Sequence, residues 1–340
     1  MKIFIPMAGR GTRLRPFTLT CPKPLLKIID KPIVEHLIDQ ITSNISSEID
    51  EIIYILGDES YFNTDVVSSL KLISDKYKAK TKIYRQLDQL GTGHAIMCAE
   101  ESLRGPSIIA YADTIIHGKI LIDSKSDGII WVKKVDNPSS YGVVNLDKSG
   151  NIQELVEKPK EFISDLAVVG IYYFKDISLI RDELKVHLSE KLSYGEEYLL
   201  NYGIEKMIEK KNIFKSQEID SWMDCGTPNL LLDSAKKIMK VYKNSLLKKD
   251  LFDGKNVIIK HPVFIGDNVK IQNSTIGPYV SIGDNTVVNN SFIDSSIIYN
   301  NTSVDNANIS NSIVGSNTVY NGNSNTVIIG DYSQIKNNAS

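Results

Sequence analysis

The chain has 340 residues, 42% hydrophobic and 24% charged, with 39 Lys and Arg against 41 Asp and Glu for a formal net charge of −2. This is a soluble globular composition with room for two domains, and its charge balance excludes a bulk nucleic-acid or polyanion binder, so any basic chemistry must be local. Cys21, Cys98 and Cys225 are widely spaced with no CxxC, which argues against a disulfide framework or a zinc site and for a reducing, cytoplasmic setting. The opening apolar run is too short for a signal-peptide core and no stretch approaches a membrane span, so no membrane association is expected.

KIFIP reads as a buried strand and is followed at once by PMAGRGTRLRP. A P-loop would need Gly-Lys-Ser/Thr where Gly11 is followed by Thr12 and Arg13. A dinucleotide fingerprint would need a small residue where Leu14 stands. The loop nevertheless has the physics of a phosphate cradle. Gly9 and Gly11 let backbone N–H groups approach an anion, and Arg13 and Arg15 can offer bidentate hydrogen bonds. An ordinary strand-to-helix turn with solvated arginines is the alternative. Lys23, between the prolines of CPKPLL, is fixed in place and can supply a further cation, although alone it reads as a surface residue.

Strand-like and helix-like segments then alternate. IVEHLIDQIT reads as a helix, EIIYILG as a strand, DVVSSLKLISDKY as a helix and KTKIYRQ as a strand. HAIMCAEESL follows as a helix and SIIAYAD as a strand. The alternation predicts an α/β layered domain with a largely parallel sheet; GIIWVKKV, YGVVNLD and LAVVGIYYF add later strands, some antiparallel. In YRQLDQLGTGHAI, Gln86 can read the Watson–Crick edge of a pyrimidine, and Gly91, Thr92 and Gly93 form a loop able to approach a base or ribose. His94 at a helix start reads as a packing or capping residue. Asp113 at the carboxyl end of a buried strand and Asp224 in SWMDCGTP are costly unless paired or metal-bound; together with substrate phosphates they could hold Mg²⁺, and singly they could be turns or caps. Glu157 and Lys158 of ELVEKP, if both lie in a strand, should point to opposite faces. Gly142, after Tyr141, and Gly170, near Tyr172, interrupt apolar strands and suggest close approach of a ligand or backbone.

Past residue 255 charges thin and asparagines multiply. Branched apolar residues recur every five or six positions and align as columns: Ile265, Ile282, Ile298 and Val314; Ile271, Val288 and Val304; Ile276, Ile293 and Ile309. Three short strands per coil predict a left-handed β-helix, with Gly266, Gly277, Gly283, Asn300, Asn301 and Asn306 suited to corners of positive φ. The intervening LLLDSAKKIMKVYKNSLLKKD has helical spacing and reads as a connecting helix or an oligomer contact.

Taken together, PMAGRGTRLRPFT, PKPL, Q-x4-GTGHA, YADT, YGVV, VEKP, VVGIYYF and WMDCGTP resemble the sugar-phosphate nucleotidyltransferases, in the family's order and over most of residues 1–230. The resemblance implies a Rossmann-like, mostly parallel mixed sheet in a catalytic domain (1–235), a linker helix (236–254) and a left-handed β-helix of hexapeptide repeats (255–340). It further implies a nucleoside triphosphate and a sugar 1-phosphate as substrates, Mg²⁺ as cofactor and homo-oligomerisation through the β-helix or linker helix. Residue by residue, it assigns Ala8, Gly9, Gly11, Thr12 and Arg13 to the triphosphate, with Lys23 beside them, and Gln86, Gly91 and Thr92 to the base. Tyr141, Gly142, Glu157, Gly170 and Tyr172 go to the sugar, Lys158 to its phosphate, and Asp113 and Asp224 to the metal; Arg13, Lys23 and Lys158 are the catalytic cations. The chain departs from the family where E-x-x-x-T-D is common: Glu197 is followed by Asn201 and Tyr202. It also has Met7-Ala8 at the loop start and Ala112 before Asp113. Gln86 and GTGHAI favour a glucose-1-phosphate thymidylyltransferase, with glucose- or N-acetylglucosamine-1-phosphate uridylyltransferase as the alternative. A bifunctional acyltransferase is disfavoured, because His261 lies only at the threshold of the coils and His36, His94, His117 and His187 precede them. A non-catalytic regulatory paralogue is disfavoured because no key cation or carboxylate is missing.

Overall fold

The computed structural model describes residues 1–123, 125–193, 196–241, 252–322 and 324–336. It divides into two compact units that interleave in sequence: Met1–Gly9 with Val34–Trp222, and Arg10–Ile33 with Met223–Ser340.

The first unit is built on a nine-stranded sheet. Its strands are β1 (Lys2–Pro6), β2 (Glu51–Leu56), β3 (Lys80–Arg85), β4 (Ser107–Ala110), β5 (Gly128–Lys134), β6 (Gly142–Leu146), β7 (Ile152–Glu157), β8 (Leu166–Phe174) and β9 (Phe214–Glu218). The main path runs β7-β6-β8-β4-β1-β2-β3, and β5 joins β8 to β9. β1 pairs parallel with β2 and β4, and β2 with β3, whereas β8 runs antiparallel to β4, β5 and β6. The antiparallel strands expected after residue 128 are therefore present. Ile3, Phe4 and Ile5 of β1 are all fully buried, as a strand covered on both faces requires.

Helices cover the sheet: α1 (Ile33–Asn44), α2 (Thr64–Lys76), α3 (Thr92–Met97), α4 (Ser178–Ser189) and α5 (Leu200–Glu209). In α1, Ile33, Val34, Leu37, Ile38 and Ile41 bury one helical stripe. Asn63 caps α2 by accepting the Asp65 and Val66 N–H groups, each at 3.1 Å. The helix expected over HAIMCAEESL is shorter than its sequence suggests: α3 stops at Met97 and a 3-10 turn follows at Glu100–Ser102. No helix of the described residues is long and apolar enough to cross a membrane.

In the second unit α6 (Pro228–Val241) leads toward the repeats; part of the expected linker, 242–251, lies outside the described residues. The repeats form the expected left-handed β-helix of stacked parallel strands, and their registers reproduce the columns. Ile265 pairs with Ile282, Ile282 with Ile298, Ile298 with Val314 and Val314 with Ile329. Ile271, Val288, Val304 and Tyr320 form the second column, and Ile276, Ile293 and Ile309 the third. Each fully buried branched side chain stabilises the stack by about 1.5–3 kcal/mol. Asparagines of positive φ turn the corners and bond coil to coil: Asn268, Asn285, Asn301 and Asn317 form one amide ladder at 3.1–3.3 Å. Gly277, Asn301 and Asn306 have the expected positive φ, but Gly266, Gly283 and Asn300 do not. The two glycines serve coil stacking instead, since a Cβ would fall 2.4 Å from Asp284 Oδ1 at Gly266 and 2.2 Å from Asn300 Oδ1 at Gly283.

Candidate functional site

The boundary between the units runs through the glycine-rich loop, so its groups fall into two sets. In the second unit, Gly11 has φ +60°, and its carbonyl accepts the Leu14 N–H at 2.9 Å and the Thr18 hydroxyl at 2.8 Å. A Cβ on Gly11 would meet Lys23 Cβ at 3.0 Å and Thr18 Cγ2 at 3.1 Å, so a side chain here would crowd the lysine stem. Thr12–Leu14 forms a 3-10 turn with Leu14 buried and Thr12 and Arg13 exposed. Lys23 opens a second such turn, Lys23–Leu25, with its stem buried. Arg13 lies beside the segment after Asp224: a Cβ on Gly226 would be 3.4 Å from Arg13 Nη2 and 2.9 Å from Asp224 Oδ1. Asp224 Oδ1 accepts the Gly226 N–H at 2.7 Å, which fixes the carboxylate. Two basic side chains and one carboxylate thus share this unit with a loop whose backbone turns as an anion cradle does.

In the first unit, Ala8 is buried and Gly9 exposed at the carboxyl end of β1, the rim where ligands of parallel sheets bind. Gln86, buried after β3, donates its amide N–H groups to the Gly91 carbonyl at 3.0 Å and toward His94 Nδ1 at 3.1 Å. Its nitrogen is thereby committed inside the loop, so that only the carbonyl oxygen, an acceptor, could serve a further partner. Gly91 has φ +113°, and a Cβ would stand 2.6 Å from the Tyr198 carbonyl oxygen. Tyr198 clasps the loop from both sides: its carbonyl accepts the Gly93 N–H at 2.7 Å and its N–H donates to the Leu90 carbonyl at 2.8 Å. The Thr92 hydroxyl accepts the Leu200 N–H at 3.0 Å, capping the start of α5.

The residues assigned to the sugar converge on β6, β7, β8 and α5. Asn201 Nδ2 donates to Glu157 Oε2 at 2.8 Å, and Tyr172 donates its hydroxyl to Asn201 Oδ1 at 3.2 Å. Gly142 faces this pair; a Cβ there would lie 3.0 Å from Glu157 Oε2 and 3.1 Å from Asn201 Nδ2. The Tyr111 and Tyr172 rings meet edge to face at 5.8 Å. Burial pushes the Tyr111 phenol up to about 12 and that of Tyr172 well above the usual range, so both remain neutral hydroxyls at physiological pH. Gly170, at φ +85°, bulges β8 and gives its carbonyl to the Tyr111 N–H at 2.9 Å. Tyr141 packs its ring against Trp222 at 4.9 Å, and Trp222 donates its indole N–H to Thr114 Oγ1 at 3.1 Å.

Lys158 corrects one expectation. It lies just past β7 with φ +46°, which ends the strand alternation, and its Nζ comes 3.8 Å from Glu157 Oε1. The two side chains share a side instead of facing apart. Asp113 follows β4 in the first unit, whereas Asp224 belongs to the second. Each carboxylate is an oxygen donor of the kind that Mg²⁺ takes.

Sequence reasoning missed Asn201 as a site residue, as well as Tyr111 and Tyr198. Asn201 stood only as a departure from a motif. The signal available was its position at the end of GEEYLLN, where α5 begins close to the Gly91 loop.

A mostly parallel α/β sheet with a glycine-rich loop after its first strand, together with a β-helix of hexapeptide coils, places the chain among α/β proteins that carry a hexapeptide-repeat β-helix. The chain belongs to the sugar-phosphate nucleotidyltransferase family: the Nucleotidyl transferase family model matches residues 4–241. It is 33% identical to the Bifunctional protein GlmU of Methanococcus aeolicus over 263 residues, which is 76% of this chain but 59% of that protein. It is 30% identical to the Mannose-1-phosphate guanylyltransferase catalytic subunit beta of Drosophila pseudoobscura pseudoobscura, covering 76% of this chain and 67% of the relative. Among solved structures it resembles a protein of Bacillus anthracis described as a "Putative Glucose-1-Phosphate Thymidylyltransferase". There the TM-score is 0.59 and the identity 25%, with 70% of this chain and 94% of that one covered.

Proposed function

We propose that the protein joins a sugar 1-phosphate to a nucleoside triphosphate, releasing pyrophosphate and an NDP-sugar, with dTTP and glucose 1-phosphate as its substrates. The observation that carries the reading is the polar chain Glu157–Asn201–Tyr172 around Gly142, a set of oriented acceptors and donors of the kind that sorts sugar hydroxyls. Joint action of the two sets of residues on one substrate pair is the core of the proposal. A sugar-phosphate oxygen attacks the α-phosphorus in line, the bond from α-phosphorus to the bridging oxygen breaks, and pyrophosphate carries off the electron pair. Such chemistry needs positioning and charge neutralisation more than covalent help. Backbone N–H groups at Gly9 and Gly11 receive the triphosphate, while Thr12 and Ala8 shape the loop. The Arg13 fork and Lys23 neutralise charge that builds on the leaving phosphates. Lys158 holds the attacking phosphate, with Glu157, Tyr172, Tyr141, Gly142 and Gly170 around the sugar. Gln86, Gly91 and Thr92 line the base. Asp113 and Asp224 would hold Mg²⁺, which when bound supplies further neutralisation of the phosphates.

Uridylyl transfer to glucose or N-acetylglucosamine 1-phosphate is the second reading, favoured by Gln86: thymine and uracil present the same hydrogen-bonding edge to an amide carbonyl. A cytoplasmic location and assembly into a homo-oligomer belong to the same proposal. The test is pyrophosphate release with Mg²⁺, crossing dTTP, UTP, GTP, ATP and CTP against glucose, mannose, galactose and N-acetylglucosamine 1-phosphates. Signal with dTTP and glucose 1-phosphate above all other pairs supports the first reading. A stronger UTP signal replaces it with the second, and release with no pair overturns both.

A further inference from the structure

Within its own unit, the loop that carries Arg13 and Lys23 is tied down between those two cations. The Phe17 ring packs tilted on Tyr299 with centroids 6.1 Å apart. The Tyr299 hydroxyl donates to the Lys27 carbonyl at 3.1 Å. Thr20 donates its hydroxyl to Asp331 Oδ2, while Asp331 Oδ1 accepts the Ser316 N–H at 2.6 Å. Gly330 sits so close to Pro16 that a Cβ would fall 2.8 Å from the proline Cβ. Tyr299 is 9% exposed, and its backbone N–H is fixed by the Val314 carbonyl at 2.9 Å. Burial, reinforced by Cys21, Asp331 and Cys225, drives its phenol far above the usual range, so it stays a hydrogen-bond donor.

The spacing of these contacts matters. Tyr299 follows Ile298, and Gly330 and Asp331 follow Ile329, in one column joined through Val314. Two coils, tied together through the one between them, therefore present one edge to the loop. Residues 15–22 join the two turns through a single further 3-10 turn, Phe17–Leu19, and without outside contacts such a segment would sample many positions, a freedom that weakens alignment at the transition state. We infer that the β-helix is the brace that sets where Arg13 and Lys23 stand, with Tyr299 and Asp331 as positioning residues for the phosphate loop; the inference rests on the nucleotide-transfer reading of that loop.

The test compares wild type with Tyr299→Phe, Thr20→Val and the double variant Tyr299→Leu/Asp331→Ala in the full chain. Hydrogen exchange over residues 11–27 reads the brace whatever the substrates are. Loss of a buried hydrogen bond and its packing predicts about tenfold faster exchange of the Leu14, Leu19 and Leu25 amides in the double variant, with the sheet of the first unit unchanged. Kinetics read the consequence: KM for the nucleotide should rise and kcat fall, together about tenfold or more in kcat/KM, while KM for the sugar phosphate stays within about twofold. Tyr299→Phe, which keeps the ring, should recover most of the loss, and Thr20→Val should fall between. Unchanged exchange in the loop overturns the brace even if no substrate pair is turned over. Equal rises in both KM values, or faster exchange throughout, would make Tyr299 and Asp331 ordinary structural residues. An inactive wild type with a loop that loosens as expected would instead count against the transfer reading alone.

Discussion

Replacing Asn201 by Asp tests the polar chain at its centre. The substitution keeps size and shape but turns the amide nitrogen, 2.8 Å from Glu157 Oε2, into a carboxyl oxygen. Two carboxylates at about 4 Å repel by about 4 kcal/mol at an effective dielectric near 20. That is about 3 pKa units, so the second proton of the pair leaves near pH ~7 rather than ~4. The Asn201 position is buried and the Glu157 side chain is 31% exposed, so solvent relieves only part of this. The sign follows from proton counting. The folded variant holds a proton that the unfolded chain has released, so its stability relative to wild type falls as pH rises from about 4 to about 7 and is level above that. Below the lower limit the protonated pair can still share a hydrogen bond, and Tyr172 can still donate to the other oxygen. Denaturant unfolding of wild type and Asn201→Asp at pH 4 and pH 8 should therefore show near parity at the first and a deficit of about 2–4 kcal/mol at the second. A deficit equal at both pH values would mean that Asn201 and Glu157 do not meet as described.

Asp113→Asn and Asp224→Asn should each lower Mg²⁺-dependent pyrophosphate release about 100-fold or more while leaving the unfolding midpoint near wild type; full activity in both removes the metal assignment. Gly91→Ala meets both a φ of +113° and the Tyr198 carbonyl at 2.6 Å. It should cost about 2 kcal/mol or more, read as a lower unfolding midpoint. Burial lifts the Glu205 carboxyl to about 7, so wild type loses stability as pH climbs from its unfolded value toward that point. Glu205→Gln should remove this dependence, gaining about 1–2 kcal/mol at pH 8 after allowance for solvent and nothing at pH 4; a gain equal at both would refute the assignment.

The β-helix was legible because its signal is periodic and local. A coil returns every 15 to 17 residues, so Ile265, Ile282, Ile298 and Val314 could be aligned on paper and then found in register. The same holds for β1, β2 and α1, whose apolar patterns each fit one period. The candidate site was legible in its motifs but not in its wiring. Asn201 bonds a residue 44 positions back and is bonded by one 29 positions back, and no spacing rule joins those three. Lys158 was misjudged because strand alternation says nothing of a residue with positive φ just past the strand end. The helix expected over HAIMCAEESL contains good helix formers, yet the chain turns after Met97, where tertiary packing overrides propensity. The tie from Thr20 to Asp331 spans 311 residues and carries no local trace at all.

Base selection can be argued one step further. With its nitrogen held by Gly91 and His94, Gln86 offers a base only an acceptor, which the N3–H of thymine and of uracil satisfies equally. Discrimination between dTTP and UTP must then come from the 5-methyl group and the 2′-hydroxyl. A buried methyl is worth about 0.8 kcal/mol, roughly a fourfold preference. A hydroxyl left without a partner in a closed site costs about 1–3 kcal/mol, and more where the wall is apolar. dUTP separates the two, because it differs from dTTP only by the methyl and from UTP only by the hydroxyl. Competition among the three should place kcat/KM for dTTP within about tenfold of dUTP, with the larger step between dUTP and UTP if thymidylyl transfer is correct. A gap between dTTP and dUTP above about 100-fold is more than a methyl can supply, and would mean that a group other than Gln86 reads the base.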